Sequence, residues 1–100
     1  MAMITEIATL TIDPATSSAF EAAVAEAAPS FKADPACRDM RLERIIEDPA
    51  QYRLLIQWDS VEAHMAFRET PAFQTWRGLA GPFFVAPPVV VHSETVGSYF

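Results

Sequence analysis

Polar and apolar side chains alternate from Met3 to Thr11, with Thr5, Ile7, Thr9 and Thr11 on one side and Ile4, Glu6, Ala8 and Leu10 on the other. A period of two residues predicts a β-strand. Asp13-Pro14 follows, a capping carboxylate ahead of a proline at the first helical position, where the missing N–H costs nothing. Phe20, Val24, Ala27 and Phe31 then recur at helical spacing through an Ala- and Glu-rich segment. They predict an amphipathic helix whose regular part ends at Pro29.

Cys37 to Glu47 mixes charges with Met40, Leu42, Ile45 and Ile46, and Asp48-Pro49-Ala50 forms a turn before Gln51 to Trp58 resumes the strand pattern. An antiparallel hairpin is the expectation. Tyr52, Leu54, Ile56 and Trp58 share one face and Arg53, Leu55, Gln57 and Asp59 the other, so the first face is read as buried. Asp59 or Ser60 caps a short helix running to about Glu69. Thr70-Pro71 restarts a second capped segment through Leu79, so the second helix is broken there. Gly81-Pro82 stops it, and Pro87-Pro88 leads into a β-branched final strand from Val89 to Val96, closed by Gly97.

The element order is therefore βαββαβ: an α+β, ferredoxin-like unit with a four-stranded antiparallel sheet and helices on one face. At 100 residues, with no internal repeat or linker, residues 1–100 read as a single domain. A hydrophobic share of 51% is ample for one core. In so small a domain it also invites burial against a second copy, so a homodimer through the uncovered sheet face is expected.

Charge narrows the partners. A formal charge of −6, with no run of Lys or Arg, disfavours nucleic acid. No apolar stretch approaches the roughly 20 residues of a membrane span. The N-terminus lacks the features of a signal peptide, so a cytoplasmic location is expected. Cys37 is the only cysteine, which rules out an intrachain disulfide and a cysteine-based metal cluster, and it reads as a packing or surface thiol.

Candidate chemistry lies in the second helical region. Around a helix, His64, Phe67, Arg68, Val61 and Met65 share an arc that is expected to face inward. His64 then reads either as a proton donor or acceptor tuned by desolvation or as a hydrogen-bonded histidine at the helix–sheet boundary. Arg68 reads either as a holder of an anionic oxygen or as one half of an ion pair. Phe73, Trp76, Leu79 and Phe83 form an aromatic wall opposite Tyr52 and Trp58, able to fill a core or to line a pocket for a flat aromatic ligand. His92 is expected to be structural. Two histidines without a third ligand predict no metal. Three glycines in no phosphate-binding pattern, and serines outside a nucleophile elbow, predict neither dinucleotide chemistry nor covalent hydrolysis.

The run Trp58-Asp59-Ser60-Val61-Glu62-Ala63-His64, then Phe67-Arg68, Pro71-Ala72-Phe73 and Trp76-Arg77, resembles the antibiotic biosynthesis monooxygenase domain, and the element order agrees. The resemblance implies a dimeric α+β barrel with a pocket in each subunit between sheet and helices. It also implies a cofactor-free monooxygenase acting with dioxygen on a quinol, anthrone or polyketide-like substrate. His64 would take the phenolic proton and Arg68 would hold the anion, while Tyr52, Trp58, Phe67, Phe73 and Trp76 would bind the ring. In the quinol-oxidising relatives a histidine commonly stands where this chain has Phe67. The haem-degrading branch uses an asparagine on its first strand, and this chain has no asparagine. Two alternatives stay open: a non-catalytic dimer that binds a small molecule, and a non-oxygenating isomerase-like member of the same barrel class.

Overall fold

In the computed structural model, which describes residues 3–100, every strand pairs antiparallel with its neighbours. β1 (Ile4–Thr11) lies between β3 (Gln51–Trp58) and β4 (Val89–Ser93), and β2 (Cys37–Arg44) flanks β3, giving the order β2-β3-β1-β4. α1 (Ser17–Lys32), α2 (Val61–Phe67) and α3 (Pro71–Ala80) complete the βαββαβ arrangement.

Register decides what each sheet face carries. Glu6, Ala8 and Leu10 pair with Ile56, Leu54 and Tyr52 on β3, and Glu6 and Ala8 pair with His92 and Val90 on β4. This is the face beneath the helices. Ala8, Leu10, Tyr52, Leu54, Ile56 and Trp58 are buried there against Phe20, Val24, Ala27 and Phe31 of α1. On the other face Ile7, Leu55 and Val91 form a row across three strands, beside Thr9 and Val89.

The Asp13 carboxylate accepts the Ala15 N–H at 3.0 Å, opening a 3-10 turn (Pro14–Thr16) that leads into α1. α1 continues through Pro29 to Lys32 instead of ending at it. Buried Phe31, packed on Phe67 and Trp76, holds the last turn in place despite the one N–H that proline removes. Ser60, not Asp59, caps α2 by accepting the Ala63 N–H at 3.0 Å, because Asp59 is occupied by Arg38 at 2.7 Å. Thr70 caps α3, and the chain breaks between the two helices as expected.

Two further expectations are corrected. The last strand ends at Ser93, well short of Val96 and Gly97, and its ladder with β1 runs only from the Thr9–Val89 pair to the Thr5–Ser93 pair. The inward arc of α2 is narrower than a long helix would present. Only His64 and Phe67 are buried, and Val61, Met65 and Arg68 are exposed on this two-turn helix and its cap.

After α3 the chain is pinned to the end of β1, where the Val85 N–H donates to the Thr11 carbonyl at 2.9 Å and Phe84 bridges Ile12. This anchor turns Phe84 against Phe20 and Trp76 and closes one end of the space between sheet and helices.

Candidate active site

Between the sheet and the helices lies a cavity of about 480 Å³, within the range of small-molecule sites. Its floor is Glu6, Ala8, Leu10, Leu54 and Val90 of the sheet. Phe31, Phe67, Phe73, Trp76 and Phe84 form the walls, and His64, Arg68 and Arg77 supply the polar groups.

The buried polar groups meet at one end of this space. Glu6 is the one charged residue on its face of β1, and it is 6% exposed. Its Oε1 accepts the Trp58 indole N–H at 3.0 Å and stands 3.1 Å from His64 Nε2. His64, 4% exposed, places its other ring nitrogen, Nδ1, 2.8 Å from His92 Nε2. Glu6 and His92 are direct neighbours across the β1–β4 ladder, and the imidazole projecting from α2 bridges them. The Trp58 ring stacks on His64 at 5.2 Å and 20°, fixing the plane of the imidazole.

An ionised Glu6 can only accept, which favours the His64 tautomer with its proton on Nε2; in that tautomer Nδ1 accepts the N–H from His92 Nε2. His92 Nδ1 then holds the free lone pair of a linear chain, Glu6–His64–His92. Burial raises the Glu6 pKa above the usual carboxylate range, against the lowering influence of the Trp58 hydrogen bond and the Arg68 charge. Burial also pushes His64 down to about 4, helped by His92 and Arg68. The contact therefore sets a neutral imidazole 3.1 Å from the Glu6 carboxyl. Both contacts are made by Oε1, Oε2 makes no hydrogen bond among the described residues, and Glu6 lines the cavity.

Of the residues singled out in the sequence, the fold brings His64, Arg68, Phe67, Phe73 and Trp76 to the cavity. Trp58 lies behind it, acting on Glu6 and His64. Tyr52 is placed elsewhere: its hydroxyl donates to Glu21 at 2.5 Å and its ring packs on Phe20. Among the described residues Arg68 forms no ion pair, and its guanidinium lies 5.7 Å over the Phe73 ring. Cys37 is half-buried and its thiol is raised to about 11 by burial, Asp34 and Glu6, so it is a poor nucleophile. Glu6 and His92 were missed as site residues. A carboxylate alone on an otherwise apolar strand face is the signal that marks Glu6. His92 carries no such local signal, because its importance depends on register.

A sequence model of the family described as antibiotic biosynthesis monooxygenase matches residues 3–79. The chain belongs to that family. Among solved structures, this family member is similar to a candidate antibiotic biosynthesis monooxygenase from Bordetella bronchiseptica, with 41% identity, a TM-score of 0.92, and coverage of 96% of this chain and 99% of the other. A second candidate of the same description, from Caulobacter crescentus, shares 28% identity at a TM-score of 0.83 over 96% of this chain and 92% of its own. The uncharacterized protein YczJ of Bacillus subtilis is 30% identical over 94% of this chain and its own full length. The antibiotic biosynthesis monooxygenase fold and the family membership expected from the sequence are thus both established.

Proposed function

We propose that this member of the family is a cofactor-independent monooxygenase that oxidises an electron-rich aromatic substrate, of the quinol, anthrone or polyketide-like class, with dioxygen. The observation that carries this reading is the buried Glu6–His64–His92 chain at the end of an aromatic-walled cavity. Triplet dioxygen reacts slowly with closed-shell phenols, and deprotonation supplies the electron-rich anion that can transfer one electron to it. A substrate hydroxyl facing Oε2 of Glu6 would lose its proton there. The carboxyl so formed is neutral and keeps the proton, with the His64–His92 pair packed behind it. The role expected of His64 alone thereby becomes shared: Glu6 meets the substrate and His64 positions Glu6. Arg68 faces the resulting anion, and Phe67, Phe73 and Trp76 flank the ring.

For an anthrone, the balance needs no external reductant. The anion gives one electron to dioxygen, superoxide and the carbon radical combine to a hydroperoxide, and loss of water leaves a new carbonyl. One oxygen atom enters the product, the other leaves as water, and the substrate methylene supplies the electrons. Oxygen uptake with purified protein on a panel of hydroquinones and anthrones is the test. Substrate-dependent uptake above the non-enzymatic rate is expected. Its absence across the panel would move the reading to the non-oxygenating isomerase-like or purely binding alternatives, which the same base and cavity would serve.

The open sheet face supports a homodimer. Val91 and Val89 are 53% and 62% exposed, and together with Ile7 and Leu55 they form an apolar band on the face away from the helices. A carboxylate at the centre of that band should abolish pairing, since an unpaired charge buried in an apolar interface costs several kcal/mol. Leu55→Glu is therefore expected to run as a folded monomer in multi-angle light scattering where the wild type runs as a dimer. A dimeric Leu55→Glu protein would remove this face as the interface.

A further inference from the structure

The cavity carries both signs of charge. Its sheet side holds the Glu6 carboxylate. The polar groups of the helical wall are His64, Arg68, in the capping position after α2, and Arg77, in the last turn of α3. Two of the seven cationic side chains of an acidic protein thus line one small cavity. Among the described residues Arg68 and Arg77 have no carboxylate partner, as is also true of Lys32, Arg41 and Arg53, and only Arg68 and Arg77 of these line the cavity. The cation–π contact with Phe73 holds the Arg68 head at the cavity wall without neutralising it. Proton abstraction from a phenol requires one counter-charge. Two arginines provide for one negative charge more than that chemistry creates.

We infer that the substrates of this cavity are hydroxylated aromatic acids, bound with the hydroxyl towards Glu6 and a carboxylate between Arg68 and Arg77, an inference that rests on reading the cavity as the substrate site. Guanidinium groups pair with carboxylates through two parallel N–H···O bonds, which fixes orientation as well as adding affinity. The Glu6 carboxylate enforces the same orientation by repulsion, because an acid group turned inward would meet a like charge in a desolvated site. A cavity of about 480 Å³ has room for a ring system of two or three fused rings between these groups. Arg68 and Arg77 are then specificity determinants, selecting acids over neutral phenols of the same shape.

Two stable compounds isolate the effect. 6-Hydroxy-2-naphthoate carries its hydroxyl and carboxylate at opposite ends of two fused rings, and 2-naphthol is the same molecule without the acid. Isothermal titration calorimetry on the wild-type protein is expected to give at least about tenfold tighter binding of the acid, the scale of a charge-assisted pair. In the Arg68→Gln/Arg77→Gln double variant, checked for an unchanged melting temperature, the preference should fall to within about twofold, chiefly through weaker binding of the acid. Equal affinities in the wild type, a preference that survives in the double variant, or failure of the acid to bind at millimolar concentration would each overturn the inference. Calorimetry reads binding alone. A carboxylate preference without oxygen uptake by hydroquinones would therefore overturn the oxygenase reading and leave this one standing.

Discussion

Glu6→Gln is expected to lower kcat for oxygen uptake by about two to four orders of magnitude, the usual contribution of a positioned base, while leaving aromatic binding nearly unchanged. The amide keeps the shape of the carboxylate, and its oxygen can still accept from Trp58 beside His64, so only basicity is lost. Stability should move the other way from activity. The native Glu6 pKa is raised by burial, so its stabilising contribution is present at low pH and is lost as pH rises through that raised value. At pH 7 to 8 the wild type carries a desolvated charge that the amide variant lacks, and the variant should melt at or above the wild-type temperature.

Acid reverses that order. His64 sits at about 4 in the native state, below its ordinary 6.5, so stability is fully present above 6.5 and falls as pH drops towards 4, by about 3 kcal/mol in all. In the wild type, proton uptake by Glu6 opposes this loss, and in Glu6→Gln nothing does. The variant should therefore lose stability more steeply between pH 6.5 and 4 in urea titrations. A Glu6→Gln protein with activity within tenfold of wild type would remove Glu6 as the base.

Trp58 is the second site of large expected effect. It is fully buried, packs on His64 and Phe67, and donates to Glu6, so it serves both the core and the site. Trp58→Ala removes the largest fully buried side chain and leaves a cavity beneath α2, at a cost of about 3–5 kcal/mol, enough to consume much of a small domain's stability. Trp58→Phe keeps an aromatic surface under His64 but deletes the indole N–H, one of the influences that hold the Glu6 pKa down. It should cost less stability than alanine and shift the acid limb of the pH–rate profile upward, since activity needs ionised Glu6. Urea midpoints and the pH dependence of oxygen uptake separate the two roles. An alanine variant within 1 kcal/mol of wild type would show that the core closes over the loss.

Local patterning made most of the fold legible. The alternation in β1 and β3, the stripe of Phe20, Val24, Ala27 and Phe31, and the Thr70-Pro71 restart are all short-range signals, and each element appears where its pattern lies. Misjudgements arose where long-range packing overrode a local rule. Pro29 should stop a helix by its own geometry, but burial of Phe31 carries α1 past it. The β-branched content from Val89 to Val96 favours a strand throughout, but the ladder with β1 ends at Ser93.

The candidate site was legible only in part. His64, Phe67 and Arg68 follow from helical spacing, and Phe73 and Trp76 from the aromatic stripe, because those periodicities fix a face. Tyr52 and Trp58 share one strand face by the same logic. Their separation by six residues along β3 sends one to Glu21 and the other to Glu6, a distinction that no period of two contains. By itself, then, the sequence determined the elements, their order and the face each one buries, since these depend on the few residues on either side of every position. Only the tertiary structure decided that Glu6 and His92 stand side by side with His64 bridging them. That meeting depends on the β1–β4 register and on the placement of α2 over it, contacts between residues 28 to 86 positions apart in the chain, which local propensity does not encode.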